Sequence, residues 1–268
     1  MRRALQAAGA YARAAFRSRD YRVERKPDGT PVTTADLRVQ RIVREVWAEA
    51  FPEVPVVGEE WGAESAAAET DAYLLVDPID GTTNFLRGVP FFACAAAYVA
   101  GGAVLVGVVH DPLHDDWFVG VRGAGARWND RPAAPERVDD PGRAEVCLPL
   151  DTWPRALRER GLARVVPAVW KVRAARSAAL ELCGVACGRF SAAVHGRLAA
   201  WDAAAALLFA EEAGAVWSPL DGIVGWTPGR RFSVLCAATP ALHAALAERL
   251  GPVREAVAVA VRAEGGAA

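Results

Sequence analysis

The sequence predicts an α+β / α/β fold in two sub-domains, and three observations carry that expectation. Helical periodicity fills most of the first fifty residues. An apolar run at 73–76 leads into alternating strands as far as residue 121. Helix–strand alternation then resumes from about residue 177. Between these patterns, Asn129-Asp130-Arg131-Pro132 through Pro141-Gly142 is polar and Pro-rich. The sub-domain boundary is placed there, giving an N-terminal unit of 1–136 and a C-terminal unit of 137–268.

Each element has a local reason. Residues 2–18 place Leu5, Ala8, Ala12, Ala15 and Phe16 at helical spacing, which predicts an amphipathic helix. Lys26-Pro27-Asp28-Gly29-Thr30-Pro31 is a turn by its Pro and Gly content. Thr33 or Thr34 opens a second helix, with Asp36 in its first turn and Leu37, Ile42, Val43, Val46 and Trp47 along one side. Residues 54–57 form a short strand leading to Gly58-Glu59-Glu60, and Tyr73-Leu74-Leu75-Val76 a buried one. Residues 91–98, 103–110 and 116–121 read as consecutive antiparallel strands, with Gly101-Gly102 as the first turn. Helices follow at 177–187, 202–213 and 240–250, and strands at 190–194, 215–217 and 233–237. The tail at 253–262 is apolar at nearly every second position, which leaves helix and strand both open.

Composition narrows the function classes. Hydrophobic residues make up 53% of the 268-residue chain, which excludes disorder, and the formal net charge of −1 gives no reason to expect nucleic acid or an anionic membrane as partner. No apolar run is long enough to span a bilayer, and the N-terminus lacks the long apolar segment of a secretory signal, so a soluble cytoplasmic protein is expected. Cys94, Cys147, Cys183, Cys187 and Cys236 all lie in apolar surroundings. Cys183 and Cys187 could share a helix face, but no third or fourth Cys or His ligand lies nearby, and free thiols are expected.

The chemistry concentrates in Asp77-Pro78-Ile79-Asp80-Gly81-Thr82-Thr83-Asn84-Phe85. Two carboxylates sit at a strand end, followed by Gly, two hydroxyls and an amide, a composition suited to a helix N-terminus. Carboxylates attract a hard cation and free N–H groups attract an anion, so metal and phosphate could meet here. Asp36, Glu59 and Asp202 also stand at ends of predicted elements, Asp202 opening its helix after Trp201. Two carboxylates about 4 Å apart repel by roughly 4 kcal/mol at an effective dielectric near 20. Five of them, if they converge, would not stay ionised without cations. A set of oxygen ligands without His or Cys favours Mg²⁺ over Zn²⁺. Taken singly, each acid has an ordinary reading: a turn or cap for Asp77 and Asp80, an N-cap for Asp202, a solvated charge for Glu59 and a first-turn acid for Asp36.

Four segments in this order, "KPDGTPVTTAD" at 26–36, "GEE" at 58–60, "DPIDGTTNF" at 77–85 and "WDAAA" at 201–205, resemble the inositol monophosphatase family of Mg²⁺-dependent, lithium-sensitive sugar phosphatases. The resemblance runs to about residue 250. It implies a layered α-β-α-β-α sandwich and a homodimer acting on a small phosphorylated metabolite. Glu59, Asp77 and the carbonyl of Ile79 would hold one Mg²⁺, and Asp77, Asp80 and Asp202 a second. A third ion would use Glu59 and waters. Thr82 would align the attacking water, with Asp36 behind its hydroxyl and Glu59 alongside. The N–H groups of Gly81 and Thr82, with Thr83 beside them, would bind the phosphate. Water would attack in line, without a covalent intermediate. Lys26 matches a family lysine near the site. Ser177 matches a small hydroxyl residue near the substrate. His195 stands where inositol monophosphatases carry a glutamate that bonds sugar hydroxyls, and Arg176 where the family usually has Gly.

The expected function is therefore hydrolysis of a polyol or sugar phosphate, inositol 1-phosphate by default. Histidinol phosphate, fructose 1,6-bisphosphate and a nucleotide 3′-phosphate are the alternatives of the same chemistry. A catalytically silent metal-binding relative is the alternative of another class. The haloacid-dehalogenase-like phosphatases separate their two acids by one residue; here Pro78 and Ile79 both intervene. His110 and His114 are expected to be structural or surface residues.

Overall fold

The computed structural model describes residues 1–27, 29–60, 70–153, 159, 163–220, 222, 226 and 231–251. The apolar tail lies outside these residues. Five layers stack in the order helices, sheet, helices, sheet, helix, the sandwich that the resemblance implies.

The first helices, α1 (Arg2–Ser18) and α2 (Thr34–Ala48), flank a hairpin of β1 (Val23–Arg25) and β2 (Pro31–Thr33). Both helices cover one face of a seven-stranded sheet. Its strands run in the order β3 (Val56–Gly58), β4 (Ala72–Asp80), β5 (Ala93–Ala100), β6 (Ala103–Asp111), β7 (Asp116–Val121), β8 (Gly125–Trp128) and β9 (Arg131–Pro132). Between β4 and β5 lies the short helix α3 (Thr82–Arg87). The inward stripe of α2 is Ala35, Val39, Val43 and Trp47, one step round from the expected face, and Leu37 is only half-buried. β9 lies in the stretch read as linker and β8 just before it; their shortness and few apolar residues hid them.

Strand alternation explains how one sheet serves two cores. Leu74, Val76, Cys94 and Ala96 face α1 and α2, whereas Leu75, Ala93, Ala95 and Ala97 face the central helix layer. That layer is α4 (Ala178–Ala186) and α5 (Ala200–Ala213), buried almost all round because a sheet covers each side. Gly107 and Gly120 admit α5 to the first sheet: a Cβ on either would come within 2.5 Å and 2.7 Å of the backbone of Ala205 and Phe209. The second sheet has five strands in the order β11 (Lys171–Arg173), β10 (Glu145–Cys147), β12 (Ala192–Ala199), β14 (Arg231–Ala237) and β13 (Val216–Ser218). Ala193, Val234 and Cys236 turn toward the central helices, while Ala192, Val194, Leu235 and Ala237 turn toward the helix at 240–251 through Leu242, Leu246 and Leu250. β10 and β11 are three-residue strands without a periodic signal, and were not expected.

All five cysteines are free thiols. His110 is buried and stacks on Trp117 with ring centroids 3.8 Å apart. No helix among the described residues is long and apolar enough to cross a membrane.

Candidate active site

One cavity of about 460 Å³ is lined by Lys26, Glu59, Asp77, Ile79, Asp80, Gly81, Thr82, Thr83, Arg176, His195 and Asp202. Residues from both sheets, from α3 and from the central helices therefore meet there. Asp36 and Ser177 are buried and do not line it.

Asp77 and Asp80 stand three apart on β4, and simple alternation would send them to opposite faces. The pairing of β4 with β5 shifts register between them, and that irregularity brings both to one cavity. A second shift, between His195 and Leu198 on β12, brings His195, Arg197 and Leu198 to the same wall. Gly81 follows β4 with φ of +95°, a conformation suited to glycine, and a Cβ there would press on the carbonyls of Phe91 and Arg176 at 3.2 Å.

Asp77 is 2% exposed and its Oδ1 has no hydrogen-bond partner among the described residues. Burial pushes its carboxyl well above the usual range, and the charges of Glu59, Asp80, Asp202 and Asp36 add to the effect. Asp80 caps α4: it accepts the Ser177 hydroxyl and the N–H groups of Ala178 (3.1 Å) and Ala179 (2.9 Å). Burial still raises Asp80 to about 7 against those bonds. Asp202 is likewise raised to about 7, by burial and then by Glu59 and Asp80. It does not open its helix. α5 starts at Ala200, and Asp202 sits in the first turn, accepting the Ala199 N–H at 2.8 Å. Trp201, read as preceding the helix, is inside it.

Asp36 closes a capping box on α2, accepting the Thr33 N–H at 2.8 Å while Thr33 caps Asp36 in return. Its other oxygen lies 3.4 Å from the Thr82 hydroxyl, which is also 3.1 Å from the Ile79 carbonyl. Burial raises Asp36 to about 6. Lys26 bridges Glu59 (2.6 Å) and Glu60 (2.8 Å). Burial alone would pull its ammonium down, but the two carboxylates hold it above its ordinary value. Glu60 is raised to about 7 by burial and by Glu59, with Lys26 opposing.

Ser177 corrects the sequence reading. It is fully buried, its hydroxyl is committed to Asp80 and to the Leu180 N–H, and it does not line the cavity. It holds a carboxylate rather than a substrate. Arg176 does line the cavity, with φ of +68°, and pairs with Asp151 at 2.9 Å.

Other residues that shape the cavity escape sequence reasoning. Asn84 donates to the carbonyls of Phe91 and Ala175, both at 2.7 Å, and so ties α3 to the turn carrying Arg176. Glu181 is fully buried beneath that turn. Its signal was available: it is the one charged residue within Ala178-Ala179-Leu180-Glu181-Leu182-Cys183-Gly184-Val185-Ala186. Arg197 and Arg231, also on the wall, carry no distinguishing local pattern.

The donors on offer suit a hard divalent cation. All are oxygens, the buried Oδ1 of Asp77 lacks a partner, and the raised carboxyls show charge crowding that cations would relieve. Among the described residues no three His, Cys, Asp or Glu side chains close into a ready-made cage, so the carboxylates line a cavity rather than form a finished polyhedron.

The family model described as the inositol monophosphatase family matches residues 1–255. The histidinol-phosphatase of Mycobacterium tuberculosis is 38% identical over 221 residues, covering 80% of this chain and 83% of its own. The inositol-1-monophosphatase of Rhizobium meliloti is 38% identical over 210 residues, covering 76% and 77%. Among solved structures, the extragenic suppressor protein suhB from Bartonella henselae superposes with a TM-score of 0.84 at 27% identity, covering 93% of this chain and 96% of that one. An IMPase from Thermotoga maritima gives 0.84 at 25% identity, covering 95% and 96%.

Proposed function

Because the chain belongs to the inositol monophosphatase family and is a phosphoric monoester hydrolase, we propose that it hydrolyses a small polyol or sugar phosphate with Mg²⁺. Inositol 1-phosphate is the default substrate. The observation that carries the reading is the buried Asp77, unpartnered at Oδ1 and crowded by three further acids of the same cavity. Glu59, Asp77 and the Ile79 carbonyl would hold one ion, Asp77, Asp80 and Asp202 another, and Glu59 with waters a third. Bound there, Mg²⁺ would neutralise phosphate charge and lower the pKa of water.

The chain's own groups account for the rest. Gly81, Thr82 and Thr83 line the cavity where α3 begins, and their N–H groups would hold phosphate oxygens. The Thr82 hydroxyl has one proton and two acceptors in reach. Donating to Asp36 frees its lone pairs to accept from a water, which orients that water toward phosphorus. Asp36 is itself held by Thr33, so the order is preset. Glu59, kept in place by Lys26, lies on the same wall and would take up the proton of that water.

The test is a phosphate-release screen over sugar, polyol, nucleotide and histidinol phosphates, with Mg²⁺ and with added Li⁺. No release from any substrate would sink the reading. A single turnover in ¹⁸O-water should label the first phosphate released; unlabelled phosphate would contradict direct attack by water. Histidinol phosphate is the second reading, supported by the Mycobacterium tuberculosis relative and by His195 at the leaving-group side. His195→Glu should then reorder the substrate panel. Cytoplasmic location and a homodimer belong to the same proposal, the latter checked by light scattering.

A further inference from the structure

Gln40 is a buried polar side chain outside the cavity that the reaction, as described, does not use. It is 0% exposed and stands on α2 four residues after Asp36, so the two share a face of the helix. Its Oε1 accepts the Glu60 N–H at 3.1 Å. A backbone N–H can only donate, so the oxygen of the amide is the atom that faces it. Nε2 is then left without a hydrogen-bond partner among the described residues. The carboxamide also packs on Gly58: a Cβ there would come within 2.4 Å of its Cδ and Oε1. One side chain thus holds residues 58 and 60, and Glu59 stands between them.

A buried N–H without an acceptor costs stability. What the amide gains in return is its hold on Gly58 and Glu60, and that hold bears on Glu59. The Glu59 N–H meets the Val76 carbonyl at 3.3 Å, a long bond, and the Glu59 carboxylate is tethered by Lys26 at 2.6 Å. Lys26 and a bound cation would compete for that carboxylate, so the side-chain tether weakens as the site fills. The backbone hold from α2 does not. The same helix carries Asp36, whose Oδ1 lies 3.4 Å from the Thr82 hydroxyl. Four residues of helix rise about 6 Å, a rigid spacer. One stretch of α2 therefore stands behind both Thr82 and Glu59.

We propose that Gln40 is a positioning residue for Glu59. Its carboxamide clamps the chain at Gly58 and Glu60, so that α2 presents Thr82, through Asp36, and Glu59 in fixed register to one attacking water. This rests on the Mg²⁺-dependent phosphomonoesterase reading above.

A double-mutant cycle tests it, read by calorimetric titration of the metal-free protein with Mg²⁺. Gln40→Met keeps the length of the side chain and removes the acceptor. It should weaken Mg²⁺ binding about tenfold, the lower end of what losing a partner behind the metal ligands costs. Glu59→Gln should weaken binding too, and Gln40→Met added to it should then change the dissociation constant by no more than about twofold. An equal tenfold loss in both backgrounds would show that Gln40 does not act through Glu59, and would overturn the proposal. Gly58→Ala is the second variant. Its methyl would displace the carboxamide with residue 40 unchanged, and it should lower Mg²⁺ affinity as Gln40→Met does; an unaltered affinity would overturn the proposal equally. Hydrogen exchange in EDTA needs neither metal nor activity. The Glu60 amide should lose protection in Gln40→Met while the amides within α2 keep theirs, and a Glu60 amide as protected as in wild type counts against the clamp. If the wild type binds no Mg²⁺ and releases no phosphate, the phosphatase reading fails, and the exchange still decides whether Gln40 holds the chain beside Glu59.

Discussion

Replacing Asp202 with Asn should stabilise the metal-free protein while removing its response to Mg²⁺. The Asp202 carboxyl is raised from 3.8 to about 7, by burial first and then by Glu59 and Asp80. An acid raised in the folded state keeps a proton that the unfolded chain has already released. Its contribution is therefore a penalty, absent below about pH 4, growing as pH rises, and complete above about pH 7. A shift of about 3 units corresponds to roughly 4 kcal/mol. Asp202 retains some contact with water, which screens the penalty, and about 1–3 kcal/mol is the better expectation. Asn keeps an oxygen to accept the Ala199 N–H, so the cap of α5 survives. In EDTA at about pH 8 the variant should thus melt roughly 2–12 °C higher than wild type, taking about 2–4 °C per kcal/mol for a chain of this size. Near pH 4.5 the gain should shrink toward zero. With Mg²⁺ the wild type should gain stability, as any ligand of the folded state confers, and the variant should gain far less. Thermal denaturation across pH and Mg²⁺ concentration measures all of this. A variant less stable than wild type in EDTA at pH 8, or one with an undiminished Mg²⁺ response, would refute the argument that repulsion awaiting cations dominates this cavity.

Asp77→Asn should abolish measurable phosphate release with the fold retained, read by phosphate assay at saturating Mg²⁺ beside circular dichroism; near-normal turnover would show Asp77 to be misassigned. Asn84→Ala should cost about 1–3 kcal/mol in urea denaturation, because it orphans the carbonyls of Phe91 and Ala175. Burial lowers the His110 pKa although Asp115 opposes it. Below about pH 6.5 the unfolded chain takes up that proton first, so His110 should cost stability as pH falls, and His110→Gln should flatten the acid limb relative to wild type; parallel limbs would show that His110 is not protonated on unfolding.

The chemistry was legible because it is written in side chains whose neighbours in sequence are also their neighbours in space. Asp77, Asp80, Gly81 and Thr82 lie within six residues and converge through a strand end, the register shift of β4 against β5 and a turn, while Asp36 is oriented by its capping box. The strand order was legible wherever alternation ran six residues or more, as in β5, β6 and β7. β10 and β11 are too short for any period and exist because β12 and the central helices provide something to pair with and pack on. Ser177 was misread for a related reason. Its local pattern, a hydroxyl before an apolar helix, fits a cap as well as a substrate contact, and only the long-range position of Asp80 decides between them. Glu181 went unread because its partners, Ala175, Arg176 and His195, include one from another strand entirely.

These contacts also explain how the two halves of the cavity can vary separately. Asp80 is held by the backbone of Ala178 and Ala179, whose N–H groups any side chain at those positions would supply, and by one small hydroxyl. The carboxylate side therefore depends on the start of α4 being a helix, and little on what that helix carries next. Glu181, one turn further on, points its charge to the other side, toward the turn at Ala175 and Arg176 and toward His195. A change at 176 or 195 can thus alter this wall of the cavity while the cap on Asp80 stays intact. The converse does not hold: loss of Ser177 would leave the buried Asp80 short of a donor and loosen the helix that seats Glu181. Ser177→Ala should for that reason depress turnover on every ester alike and leave their ranking unchanged. If Ser177→Ala instead reorders the substrates, the two halves are coupled through α4, and the separation argued from these hydrogen bonds is wrong.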